Sequence, residues 1–168
     1  SQPQNRLGRV RAVGGKCGDG DGVAKQRRER QLRAVSGRRG PVISDVLRGD
    51  GETALREAQL ETNAGYRRFE VALAHTARAD RPDADAALGE LIAQDRDVEA
   101  YQIAQVYARR GETEKAFEWL QIAFDQHDTG ILGLLIDPLM RDLRSDVRYK
   151  SLLAKLGLPA VQCTYSPH

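Results

Sequence analysis

The chain has few of the residues that stabilise aromatic-rich or disulfide-bonded folds. Aromatic residues make up 5% of the 168 positions, and there are two cysteines, one methionine and one tryptophan. Cys17 and Cys163 lie near opposite ends and form no C-x-x-C motif. One disulfide between these two cysteines is an alternative, but the favoured interpretation is that both cysteines are reduced. The composition favours helices with small-residue interfaces over a β-sandwich.

A long apolar segment is also missing. The longest apolar stretch covers residues 131–136 and contains Gly133, whereas a helix needs about 20 apolar residues to cross a bilayer. The basic residues near the N-terminus are followed by no apolar region, so we expect no signal peptide. We therefore expect a cytoplasmic protein without a membrane partner.

Sequence signals for catalysis and cofactor binding are weak. The segment 14–17 lacks the spacing of a phosphate-binding loop, and the segment 19–22 lacks the remaining ligands of a calcium loop. His75 falls at a helix-packing position, where a structural role is favoured over a catalytic one. His127 lies between two aspartates at a helix end, where a cation is favourable and a metal site is the weaker alternative. We expect no catalytic residue, no cofactor and no metal site.

Charge divides the chain into two segments. Residues 1–40 carry eleven Lys/Arg and three Asp/Glu, whereas residues 41–168 carry fifteen and twenty-one. The first segment holds eight of the sixteen glycines, and we expect it to be disordered because it has little apolar surface to bury. Its basic residues could contact nucleic-acid phosphates, although it has no aromatic residue on which bases could stack.

The sequence does contain an internal repeat, with a period of about 30 residues. Arg48–Leu55 (RGDGETAL) is similar to Arg110–Phe117 (RGETEKAF), and Arg78–Ala84 (RADRPDA) lies between them. The three segments begin at residues 48, 78 and 110. This spacing is typical of the turns that join the two helices of successive hairpins. Such a period predicts a stack of helix hairpins, an architecture that usually presents a surface rather than a reaction centre.

Apolar periodicity and capping residues predict the helices of this stack. A short stripe over residues 42–47 ends at Gly49, and Asp50 caps the next helix. Further helices are predicted over about 66–78, from Pro82, and from an N-cap at Asp97 to residue 110. The helix after Gly111 carries the apolar stripe Ala116, Phe117, Leu120, Ala123 and Phe124. Shorter helices follow Asp137 and Asp146, so we predict a cap over residues 131–159 and a frayed tail over 160–168.

The hairpins resemble tetratricopeptide repeats. The best copy spans residues 97–130 and matches seven positions of that family's pattern: Ile103, Ala104, Tyr107, Gly111, Ala116, Leu120 and Ala123. The preceding copy has His75 for the aromatic residue and Ala79 for the glycine, and the first copy is partial. The resemblance implies an all-α solenoid of two to three repeats over residues 41–159.

The cap is similar to a run that ends some bacterial tetratricopeptide proteins, through Asp137-Pro138-Leu139, Leu143-Arg144-Ser145-Asp146, Arg148-Tyr149 and Gly157-Leu158-Pro159. In those proteins the repeats often follow a signalling module. The resemblance therefore implies a non-catalytic interaction module, for which the chain could be the C-terminal part of a larger bacterial regulatory protein. The alternative is a nucleic-acid-associated protein that uses its basic N-terminal arm.

The family's geometry also implies a concave groove for a protein or peptide partner. Its lining would be Tyr66, Phe69, Leu73, Tyr101, Gln105, Ala108 and Arg109. Aromatic anchors and an arginine for an acidic group would suit an extended or helical peptide. For Phe69 and Leu73, packing against a neighbouring helix is an equally favoured alternative.

Overall fold

The computed structural model describes residues 39–159, with side chains from residue 41. This part of the chain is built from seven α-helices and two 3₁₀ helices: α1 Arg39–Arg48, α2 Gly51–Ala58, α3 Ala64–Ala77, α4 Arg81–Asp95, α5 Ala100–Arg109, α6 Thr113–Asp125, η1 Thr129–Gly133, η2 Pro138–Leu143 and α7 Val147–Lys155. The all-α prediction is confirmed. The predictions of disorder before residue 39 and of a frayed tail from residue 160 fall outside the described residues.

The three repeated turns share one hydrogen-bonding pattern. Each has a residue with positive φ, at Gly49 (80°), Ala79 (57°) and Gly111 (73°). The amide after that residue then bonds to a carbonyl five positions back, from Asp50 to Asp45 (2.9 Å), from Asp80 to His75 (3.3 Å) and from Glu112 to Tyr107 (3.0 Å). This is the Schellman arrangement that ends a helix and reverses the chain. The spacing in the sequence therefore reflects a repeated backbone structure.

The helices stack as hairpins. Within each pair the two helices pack together (α1 with α2, α3 with α4, α5 with α6), and the first helices of successive pairs also contact one another. Small buried residues allow this close approach, among them Ala54, Ala72, Ala104 and Ala116. The arrangement is compatible with a short helical solenoid.

The C-terminal elements cover the last hairpin. η2 packs on α5, and η1 contacts both α5 and α6. Arg148 of α7 reaches Glu114 of α6 with two hydrogen bonds of 2.8 and 2.9 Å, and its guanidinium lies 4.2 Å from the centre of the Phe117 ring. The Tyr149 hydroxyl donates to the carbonyl of Leu134 (2.6 Å). Because η2 contacts α5 as α5 contacts α3, the cap lies where a further hairpin would begin.

One predicted cap is wrong. Asp97 lies in the turn between α4 and α5, and α5 begins three residues later, at Ala100. The amide of Tyr101 instead bonds to the Asp128 carboxylate (2.9 Å), which comes from the segment after α6. A carboxylate 27 residues away therefore satisfies an amide of the first turn, a contact that local sequence cannot reveal.

The left-handed conformation of Ala79 gives a first prediction. An L-residue with a side chain is disfavoured there by about 1–2 kcal/mol, whereas glycine adopts it freely. We expect Ala79→Gly to raise the free energy of unfolding by about 0.5–1 kcal/mol after the entropy gained by the unfolded chain is subtracted. Urea denaturation followed by far-UV circular dichroism measures this change.

The reverse substitution in the third turn is the matched control. A Cβ atom added to Gly111 would meet no heavy atom within 4 Å, so Gly111→Ala tests the backbone conformation alone. It should destabilise the protein by about 1 kcal/mol. Opposite signs for the two variants support the shared turn geometry, and equal signs would contradict it.

The length and composition of the helices show whether any of them could cross a membrane. Within residues 39–159, none of the helices has both the length and the hydrophobicity that a bilayer crossing requires. The longest of them, α4, has 15 residues and carries charged residues throughout.

Candidate functional site

α5 is the most enclosed helix of the described chain, although the sequence predicts that it lines a groove. Residues 100–108 are all buried. The helix contacts α3, α4 and α6 as well as both 3₁₀ helices. Its buried set includes two glutamines, Gln102 and Gln105, and buried polar side chains need hydrogen-bond partners. The partner of Gln105 is a buried carboxylate.

That partner is Asp137, at the start of η2. One of its oxygens, Oδ2, accepts from the Tyr101 hydroxyl (2.7 Å) and from the Gln105 amide (2.5 Å). The other, Oδ1, accepts from the backbone amide of Leu139 (2.8 Å) and thereby caps η2. The Arg144 side chain donates to the Asp137 carbonyl (3.0 Å). One carboxylate thus joins the cap to α5.

Burial shifts the pKa values of Asp137 and Tyr101. Desolvation raises the pKa of Asp137, and the hydrogen bonds from Tyr101, Leu139 and Gln105 oppose that rise. Burial, followed by the neighbouring Asp137 charge, raises the pKa of Tyr101 well above 10.0. The phenol therefore stays protonated at neutral pH and acts as a donor. The arrangement holds two elements together and leaves none of these groups open to a reactant.

The structure buries five of the seven residues predicted to line the groove. Tyr101 and Gln105 are brought together by Asp137, while Phe69, Leu73 and Ala108 belong to the apolar core. For Tyr101, Gln105 and Ala108, burial corrects the prediction of a groove-lining position. For Phe69 and Leu73, burial agrees with the alternative of packing against a neighbouring helix. Since the cap and the neighbouring hairpin cover them, a partner could reach them after the packing opens.

Tyr66 and Arg109 are the two predicted groove residues that are partly exposed. Tyr66 lies in the first turn of α3 and packs partly against the core. Arg109 is the last residue of α5. Its Nε atom is buried and has no hydrogen-bond partner among the described residues. These two side chains form the accessible part of the predicted site.

An open cleft lies between the first two repeated turns. It has a volume of about 360 Å³ and is lined by Gly49, Asp50, Gly51, Glu52, Ala77, Arg78 and Asp80. Arg78 pairs with Glu52 across it (3.0 Å). A Cβ atom on Gly51 would lie 2.5 Å from the Arg78 side chain and 2.8 Å from the carbonyl of Ala74. Glycine is therefore required there for the close packing of α2 on α3.

Comparisons of the chain with protein-family models, with curated proteins and with solved structures found no match. The tetratricopeptide resemblance thus rests on the residue pattern, and the solenoid architecture rests on the packing of the helices.

Proposed function

We propose that the chain is a non-catalytic protein-interaction module, related to tetratricopeptide repeats, that binds a peptide or a partner domain. The observation that carries the proposal is the docking of the cap on α5. There the hairpin stack holds the start of a short 3₁₀ helix, η2, through an acidic side chain, with Tyr101 and Gln105 as donors. A partner that presents an acidic side chain would use the same chemistry on the accessible part of the stack.

Arg109 is the residue best suited to receive such a side chain. It is half-buried, and it forms no ion pair within residues 41–159. A guanidinium in this environment gains from a bidentate carboxylate that completes its hydrogen bonds. Tyr66 adds an aromatic surface of the kind that dominates binding energy at interfaces.

The test compares two variants of the full chain. Proteins captured from a bacterial lysate are identified, and the dissociation constant of a purified partner is then measured for the wild type and for Tyr66→Ala/Arg109→Ala. We expect the double variant to weaken binding at least tenfold, since each hot-spot side chain contributes more than about 1 kcal/mol.

Arg141→Ala is the matched control, because Arg141 is 66% exposed on the cap and pairs with the equally exposed Asp142. It should leave the dissociation constant unchanged. Circular dichroism must show the same fold for both variants and the wild type. Equal affinities of the wild type and the double variant would refute the assignment of the surface to Tyr66 and Arg109.

The alternative, nucleic-acid binding by the basic arm, rests on the positive charge of residues 1–40. Its residues Lys25, Arg27, Arg28, Arg30 and Arg33 lie outside the described part of the chain. Phosphate contacts would make affinity for a DNA or RNA probe fall steeply with salt. Replacing these five residues with glutamine would abolish that binding, whereas the Tyr66→Ala/Arg109→Ala variant would retain it.

A further inference from the structure

Three metal-ligating side chains converge at the second repeated turn, between α3 and α4. They are His75, Asp80 and Asp83, and their ligand atoms all lie within 4.8 Å of one another. The distance from Nδ1 of His75 to Oδ2 of Asp83 is 3.8 Å, too long for a hydrogen bond. Two ligands of a tetrahedral zinc ion lie about 3.4 Å apart, and about 4.2 Å is the largest separation that one ion can bridge. The observed distance falls between these values.

The turn itself produces this convergence. Positive φ at Ala79 reverses the chain, so that the amide of Asp80 bonds to the carbonyl of His75 (3.3 Å). Asp80 is the N-cap residue of α4, and Asp83 lies in the first turn of the same helix. The side chain of Asp83 is 59% exposed and can rotate to shorten the remaining separations. His75 is largely buried and fixes the inner edge of the cluster.

In the first and third repeated turns, the residues that correspond to Asp80 are Asp50 and Glu112, and both have other partners. In the first turn, Asp50 caps α2 by accepting from the amide of Thr53 (3.0 Å). In the third turn, Glu112 pairs with Arg110 and Lys115 at 2.7 and 2.8 Å. In the second turn neither Asp80 nor Asp83 pairs with a lysine or arginine among the described residues. Within the described residues, the basic side chain nearest to Asp83 is therefore His75 itself, at 3.8 Å.

Two further observations indicate that these groups are available as ligands. Asp50, Asp128, Asp137 and Asp146 each accept a backbone amide as helix caps, but the Asp80 side chain makes no such bond. In addition, Nδ1 of His75 is buried and has no hydrogen-bond partner in the described part of the chain. This nitrogen lies 3.8 Å from Oδ2 of Asp83, and a metal ion between the two atoms would satisfy it.

The geometry points to a divalent transition-metal site formed by Nδ1 of His75 and the carboxylates of Asp80 and Asp83, with Zn²⁺ as its ion. One nitrogen and two oxygen ligands suit zinc, whereas calcium and magnesium take oxygen ligands. Three protein ligands leave a fourth position for water, and Asp80 also lines the open cleft, through which solvent reaches it. A bound ion would link α3 to α4 across the turn at Ala79, whose left-handed backbone is strained. It departs from the expectation, drawn from sequence, that the chain holds no metal.

Zinc titration of the full chain tests the site. Isothermal titration calorimetry is performed with Zn²⁺ on a Cys17→Ser/Cys163→Ser background, which removes the thiols as competing ligands. We expect one Zn²⁺ per chain, a higher melting temperature with Zn²⁺ present, and a Co²⁺ absorption spectrum typical of four-coordination. His75→Ala, Asp80→Asn and Asp83→Asn should each weaken Zn²⁺ binding at least tenfold.

His127→Ala, His168→Ala and Asp97→Asn are the controls, because they alter other histidines and an exposed aspartate outside the cluster. They should leave the affinity unchanged. Circular dichroism must show wild-type helix content for every variant. The site is refuted if the parent chain binds no stoichiometric Zn²⁺ at about 100-micromolar concentrations, which would mean a binding free energy weaker than about −5.5 kcal/mol. It is also refuted if the three cluster variants bind Zn²⁺ as tightly as the controls.

Discussion

Replacing Asp137 with alanine is expected to lower the free energy of unfolding by about 3–5 kcal/mol. Its carboxylate accepts from the Tyr101 hydroxyl, the Gln105 amide and the Leu139 backbone amide, and all of these contacts are buried. A buried donor that loses its acceptor costs about 1–3 kcal/mol, and water that enters the space left by the side chain recovers part of the sum. Urea denaturation followed by circular dichroism measures the loss.

Two companion variants separate the causes of this effect. Asp142→Ala removes a carboxylate from the same 3₁₀ helix, but its side chain is 67% exposed, so the change should stay within about 0.5 kcal/mol. Tyr101→Phe removes one of the three donors, together with its need for an acceptor, and should cost about 1 kcal/mol. A loss below about 1 kcal/mol for Asp137→Ala would mean that this carboxylate does not join the cap to α5.

The repeated turns could be predicted because their determinants are local. Gly49 and Gly111 mark left-handed positions, and Asp50 caps the following helix with its own side chain. Each of these choices involves contacts within five residues along the chain, which is the range over which residue type alone specifies backbone conformation. The middle turn kept the same backbone with Ala79, so tertiary packing there outweighs the preference for glycine.

The surroundings of α5 could not be predicted, since its partners are distant in sequence. An alternation of apolar residues with Gln102 and Gln105 is typical of a helix with one exposed face. The structure buries that face, and the Gln105 amide finds its acceptor in Asp137, 32 residues away. Nothing in the helix itself indicates this contact. The sequence predicts Asp137-Pro138 as a helix cap, which is one of the two roles of Asp137.

The same limit applies to the cluster around His75. Its three ligands are five and three residues apart along the chain, a spacing that matches no common metal-binding motif. They converge only because the left-handed residue between them reverses the chain. A sequence search for such sites would have to combine the turn pattern with the residues before and after it, which the repeat alignment makes feasible.

Leu120→Ala is expected to destabilise the protein by about 2–5 kcal/mol, through the cavity that the shortened side chain leaves. Leu120 is fully buried in α6 and belongs to the core together with Ala116, Phe117 and Ala123. Leu132→Ala makes the same chemical change in η1, where the side chain is 59% exposed, and should cost less than about 0.5 kcal/mol. Because both variants remove the same atoms, the unfolded-state contribution largely cancels in the difference between their unfolding free energies, which reports chiefly on burial. Equal values for the two would contradict the register that directs this stripe of α6 into the hairpin stack.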